Sequence, residues 1–191
     1  MTVAHRERVV RAATSSFLAH GYRSSVDEIA RRAGVAKQTV YHHFPSKDEL
    51  FKEVARDLTQ RVMVELESPP QDLREGLLRF ALVYRQRTLG AQGISAFRTL
   101  VPEVPRFRGV ARAMYASSVG EMVRRLAEWF AGAMDAGRLR REDPVFAAEM
   151  FLSMLAGLDR VKRLFSVSDE AESEARRTAR IIDCFLRMLE K

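Results

Sequence analysis

Apolar residues return every three or four positions along most of this chain, and the breaks between runs carry glycine, proline or a capping residue. That pattern predicts helices throughout. Over Arg6 to Ala19, Val9, Ala13 and Phe17 share one face with Val10 and Ala12 beside them, and Gly21 closes the element. Ser25, with Glu28 three residues on, has the form of a capping box and opens a short helix from Val26 to about Ala33. Gly34 ends it, and a third helix, about Lys37 to Phe44, begins within three residues. Pro45-Ser46 separates this from a long helix starting at Lys47. There Asp48 and Glu49 suit the positive end of a helix, and Leu50, Phe51, Val54, Leu58, Val62 and Leu66 form one stripe to about Glu67.

The break Ser68-Pro69-Pro70 leads into a helix from Gln71 to about Thr88, after which Gly90 and Gly93 mark a loop. Helices follow at about Ile94 to Val101, Phe107 to Tyr115 and Ser118 to Ala136, the last closed by Gly137. Asp143-Pro144 opens a helix from Val145 to about Phe165 that is apolar nearly all round, since Glu149 is its one charge between Pro144 and Leu158. A final helix, about Glu170 to Leu189, presents Ala175, Thr178, Ile181, Ile182, Phe185, Leu186 and Leu189 on one broad face. No strand-like alternation, repeat or low-complexity tract interrupts the pattern. The expected fold is all-α: an N-terminal three-helix domain over residues 1–46, joined by the long helix to a helical domain over residues 47–191.

Charge sharpens this division. The 191 residues are 47% hydrophobic and 30% charged, enough to bury a core, and carry a net charge of +7. Residues 1–50 hold eight basic and five acidic side chains and all four histidines, so a polyanion is the expected partner of this end. The longest run free of Asp, Glu, Lys and Arg is Ala12 to Tyr22, too short to span a membrane, and the opening MTVAHRERVV has no apolar core of signal length. A cytoplasmic protein without a membrane partner is expected. A single cysteine excludes an internal disulfide and a Cys-rich zinc site; Cys184, within IIDCFL, reads as a buried small hydrophobe.

The two short helices around Gly34 have the form of a helix-turn-helix, with small Ala30 and Ala33 where the second helix would cross the first. In such a module the second helix enters the major groove with its N-terminal residues toward base edges, here Lys37, Gln38 and Thr39. Gln can take adenine with two hydrogen bonds, Thr can bond a base or pack on a thymine methyl, and Lys can reach guanine or phosphate. Ser25, Tyr41, His42, His43 and Lys47 flank this reader as candidate phosphate donors, with core packing as the other reading of Tyr41 and one histidine.

The stretch FLAHGYRSSVDEIARRAGVAKQTVYHHFPSKDELF, Phe17 to Phe51, resembles the N-terminal signature of the TetR family of one-component transcriptional regulators. The resemblance implies that Lys37, Gln38 and Thr39 face bases, that Tyr41, His42 and Lys47 hold phosphates, that Ser25 caps the second helix beside the backbone, and that His43 serves in either role. Ala36 departs from the Ser or Thr often found there, so one hydroxyl contact or cap is absent. Further on, RTLVPEVPRF is similar to the C-terminal domains of AefR-like members. A ligand-sensing, dimerising C-terminal domain is therefore implied.

The apolar helix around Ser153 and Gly157 needs a partner on each side. A homodimer formed with the final helix supplies one, with Phe151, Ser153, Met154, Leu155, Gly157, Leu158, Ile182, Phe185 and Leu186 as interface candidates; a central helix buried within one chain is the alternative. A twofold pair also reads a palindromic operator, which one short reader cannot. Tyr84, Phe97, Met114, Tyr115, Met122, Trp129 and Ala133 either line a pocket for a small-molecule effector or form plain core. Adjacent His42 and His43 lack a third ligand at metal spacing, so neither metal nor cofactor is expected. No nucleophile elbow, phosphate loop or dinucleotide fingerprint occurs, which argues against an enzyme. The expected function is a DNA-binding regulator, a repressor released by its effector. The alternatives are a helical enzyme or carrier with a vestigial DNA-binding head, and a DNA binder that senses nothing.

Overall fold

Helix follows helix along the whole of the computed structural model, which describes residues 2–67, 69–167 and 172–190 and contains no strand among them. In chain order the helices are α1 (Thr2–His20), α2 (Val26–Ala33), α3 (Lys37–His43), α4 (Lys47–Val64), α5 (Leu73–Leu89), α6 (Ala91–Leu100), α7 (Arg108–Tyr115), α8 (Glu121–Asp135), α9 (Pro144–Leu164) and α10 (Glu174–Met188). Tight 3-10 turns occupy Gly21–Arg23 and Val101–Arg106, and a wide π turn, Ala116–Gly120, precedes α8. Ser68, in the proline break, and Glu170, the expected start of the last helix, lie outside the described residues.

Most boundaries follow from local chemistry. Gly34, with φ 64° and ψ 42°, ends α2 in the left-handed region where a side chain would be strained. Asp143 caps α9 by accepting from the Val145 and Phe146 amides, and Pro144 fills the first turn. Two expectations are corrected. The Ser25 hydroxyl accepts from the Asp27 amide at 3.1 Å, while the Glu28 carboxylate turns to Arg32, 2.8 Å away on the next turn, so the reciprocal capping box does not form. Gly93 sits inside α6 rather than in a loop. A Cβ there would lie 2.1 Å from the Arg87 carbonyl oxygen, so glycine is what lets α6 begin tight against the end of α5.

The chain forms two compact units, one comprising the residues up to Thr59 with Ser95–Ser118, the other Gln60–Ile94 with the chain from Val119 on. The sequence suggests one division, between residues 46 and 47. In the structure α4 contributes to both units, because Leu50, Phe51 and Val54 belong to the first core and Val62 to the second. The 95–118 segment also returns to the first unit, where Leu100, Val110 and Met114 pack on its core.

In the first unit Val9, Val10, Ala13 and Phe17 of α1 are buried with Val26, Ile29, Ala30 and Ala33 of α2 and with Val40 and Phe44. The second unit centres on Phe151 of α9, whose ring lies 4.8 Å from Phe185, 5.9 Å from Phe130 and 6.2 Å from Phe80. Ile182 and Phe185 of α10, with Leu189 just past its end, take the inward phase and leave Cys184 exposed, with the Arg187 guanidinium 3.3 Å from its Sγ. The expectation of a buried cysteine is thereby corrected.

Candidate nucleic-acid interface

A reading helix must be anchored on one side and bare on the other, and α3 is both. Val40, 1% exposed, and Phe44 just past the helix end fix it to α1 and α2, while Lys37, Gln38, Tyr41 and His42 are exposed and Thr39 and His43 are half-buried. Ala36 occupies the N-cap without a side-chain hydrogen bond, as the sequence implies. The helix therefore starts with open amides and three polar side chains at its free end.

Two arrangements were not legible in the sequence. Lys37 Nζ donates to Asp27 Oδ2 at 2.9 Å, and this hydrogen bond with its attendant charge raises the Lys37 pKa. Both side chains are exposed, so the pair orients Lys37 without holding it against a stronger ligand. Lys47, at the start of α4, is half-buried with its Nζ 4.4 Å over the Tyr22 ring, and burial lowers its pKa. The Tyr22 hydroxyl donates to the neighbouring Asp48 carboxylate. Burial first, then that bond and charge, push the Tyr22 pKa far up, so the phenol stays protonated. Around it stand Phe107 at 4.2 Å, Phe51 at 5.2 Å and Phe17 at 6.5 Å between ring centroids. Ser46 caps α4 by accepting from the Glu49 amide at 3.1 Å. Lys47 thus projects from a capped helix start braced on an aromatic cluster, and Ser25 lies exposed at the start of α2.

The remaining candidates separate by unit. Tyr84, Met122, Trp129 and Ala133 share the buried core of the second unit. Phe97, Met114 and Tyr115 belong to the first, where Phe97 and Tyr115 are exposed and Met114 lines a small apolar recess with Tyr22, Phe51 and Phe107. Of the proposed interface residues, Phe151, Leu155, Ile182 and Phe185 are wholly buried in their own unit, which corrects their assignment. An apolar helix gives no phase by which sequence could tell its inner face from its outer one. Ser153, Gly157 and Leu158 are exposed, and Met154 and Leu186 half-buried. Leu158 at 66%, Phe146 at 54% and Phe165 at 77% continue that outer face along and just beyond α9.

The sequence also passed over Arg85 of α5. It is 2% exposed and donates to the Leu155 carbonyl, pairing with Asp159 at 2.9 Å and Glu174 at 2.7 Å. Arg177 adds a two-pronged bond to Asp159, both arms 2.7 Å. Open clefts of about 500 and 450 Å³ flank this network. No group of three His, Cys, Asp or Glu suited to a metal ion occurs among the described residues, and none of their helices is long and apolar enough to cross a membrane.

Comparison with known proteins gives two family matches. Residues 9–54 match the model of bacterial regulatory proteins of the tetR family, and residues 75–190 match that of the AefR-like transcriptional repressor C-terminal domain. The A-factor receptor protein of Streptomyces griseus is 38% identical over 87 residues, 44% of this chain and 32% of that protein. The chain's matches span about a third of the length of its curated relatives. The solved structure of the flavonoid-responsive regulator FrrA is 30% identical, covers 97% of each chain and superposes with a TM-score of 0.79. A TetR-family structure from Mesorhizobium loti, 25% identical, covers 100% of this chain and 99% of its own, also at 0.79.

Proposed function

Because the chain belongs to the TetR family of transcriptional regulators and carries its AefR-like repressor C-terminal domain, we propose that it is a cytoplasmic, non-catalytic, homodimeric repressor. It reads a palindromic operator with α3 and leaves it when a small molecule binds the second unit. The bare face of α3 carries this reading: Lys37, Gln38 and Thr39 meet base edges, and Tyr41, His42, His43, Lys47 and Ser25 hold the backbone on either side. Genomic selection of fragments bound by the purified protein tests it. Recovery of one inverted repeat with half-sites about one helical turn apart is expected, and recovery of unrelated fragments contradicts it.

The twofold partner covers the outer face of α9. Ser153 and Gly157 permit close approach there, and Phe146, Met154, Leu158 and Leu186 supply apolar area. Leu158→Arg is expected to give a folded monomer at concentrations where the unsubstituted chain sediments as a dimer. Leu155→Arg should instead unfold the chain, because Leu155 is wholly buried. A Leu158→Arg protein that remains dimeric would move the interface elsewhere.

The effector site lies between α5 and α8, around Tyr84, Met122, Trp129 and Ala133, where the absence of a Cβ at Gly76 lets Pro70 pack close beside the Trp129 ring. An apolar or aromatic molecule fits that lining. The A-factor receptor and flavonoid-responsive relatives support small-molecule control. Helix α4, which begins at Lys47 in the first unit and ends in the second, provides the continuous element for it.

A further inference from the structure

Positive charge in the first unit is not confined to α3. Arg8 and Arg11 stand on successive turns of one exposed face of α1, and together with Arg32 at the end of α2 they wall an open cleft of about 340 Å³. Several cations of the unit are matched: Arg6 with Glu53 at 2.6 Å, Arg23 with Glu103 at 3.3 Å, Lys37 with Asp27 at 2.9 Å. Among the described residues Arg8 and Arg11 have no carboxylate within ion-pair distance, and Arg32 has only Glu28 of its own helix. Clustered cations without counter-charges repel one another, and an anion in the cleft relieves that repulsion.

The cleft is set apart from the reading face. On α2 the buried residues Val26, Ile29, Ala30 and Ala33 divide two flanks, with Asp27 and Arg31 on one and Glu28 and Arg32 on the other. Lys37 is tied to the Asp27 flank, whereas the cleft opens on the Arg32 flank. Arg8 nevertheless stands beside the turn that leads into α3, its guanidinium 4.0 Å from where a Cβ on Gly34 would lie. A duplex engaged by α3 is therefore the polyanion delivered to this neighbourhood, and guanidinium groups match phosphate oxygens in two-pronged geometry. We propose that the α1–α2 cleft is a second duplex contact, in which Arg8 and Arg11 hold backbone phosphates beyond the base pairs that α3 reads. This inference rests on α3 as the reader.

The test compares the intact protein with Arg8→Ala/Arg11→Ala and Arg8→Lys/Arg11→Lys on two duplexes. One stops at the selected operator, and the other extends it by about one helical turn on each side. Both side chains are exposed, so the melting temperature should not change. On the extended duplex the alanine variant should show a plot of log affinity against log salt flatter by about 3.6, two phosphates in each half-site at about 0.9 each. The affinity it loses between 50 and 200 mM salt should then be about a hundredfold smaller. The lysine variant should keep the steeper slope, the trimmed duplex should bind both proteins alike, and base preference should not move. Equal slopes on the extended duplex overturn the proposal, as does an equal loss on both duplexes, which would put the arginines inside the half-site. Weakened binding to vesicles of anionic lipid with unchanged DNA slopes would assign the cleft to a membrane surface and overturn it too. Failure of the unsubstituted protein to prefer operator over random duplex would refute α3 as reader and this inference with it. That failure is told apart by appearing before any arginine is changed.

Discussion

Arg85→Ala is expected to lower the free energy of unfolding by about 1–3 kcal/mol, because it leaves the Leu155 carbonyl unsatisfied and the partly buried Asp159 carboxylate with Arg177 alone. Arg85 joins α5 to α9 through Asp159 and to α10 through Glu174, so the loss should appear as earlier cooperative melting of the second unit. Acid should act through the same network. Burial opposes ionisation of Asp159, but the hydrogen bonds from Arg177 and Arg85, and then their charges, outweigh it and leave the pKa lowered. A carboxylate depressed in the folded state contributes stability that is fully present above its unfolded pKa of about 3.9 and is lost as pH falls through the folded value. Melting followed downward from pH 5 should therefore show a decline below pH 4 that is shallower in Arg85→Ala. An unchanged melting temperature in that variant would contradict the network's role.

Tyr22→Leu is expected to destabilise the first unit by about 3–5 kcal/mol and to weaken operator binding of the folded protein by about one to two orders of magnitude, although Tyr22 is not itself a base reader. The ring lies parallel to Phe17, edge-on to Phe51 and tilted against Phe107, worth about 0.5–1.5 kcal/mol a pair. It also supports the Lys47 ammonium, worth about 0.5–2 kcal/mol. Without the ring Lys47 loses its rest and its fixed direction. Tyr22→Phe separates the contributions. It removes only the hydroxyl bond to Asp48, so it should retain most operator affinity while losing about 1.5–3 kcal/mol of stability. Chemical denaturation and DNA titration on the two variants measure both effects, and a Tyr22→Leu protein that binds operator normally would show that Lys47 needs no such support.

How far the sequence could be read depended on the range of each interaction. The start of α9 at Asp143-Pro144 and the end of α2 at Gly34 are decided within a few residues, so their chemistry is visible in the string. Gly93 is spelled like a loop glycine, and only the approach of the Arg87 carbonyl shows why a side chain is excluded. Arg85 reads as one more solvated charge on a helix until Asp159 and Glu174, more than seventy residues later, arrive beside it. The same holds for Tyr22, whose Phe107 neighbour comes from the segment that returns to the first unit. In α3 the reading positions were legible because the exposed residues follow directly from where Val40 is buried, whereas the Lys37 to Asp27 pair crosses from one helix to another.

The central claim is that α3 reads bases while Lys47 holds the backbone, and parallel selection from a random duplex library with the unsubstituted, Gln38→Ala and Lys47→Ala proteins tests it directly. Gln38→Ala should recover the same inverted repeat with preference relaxed at one position in each half-site, a discrimination of about 1–3 kcal/mol. Lys47→Ala should leave the recovered sequence intact, weaken every duplex alike and flatten the salt slope by about 1.8, one phosphate in each half-site. If Gln38→Ala instead loses affinity equally for operator and random duplex, with no position relaxed, α3 does not read the sequence through Gln38 and the account fails.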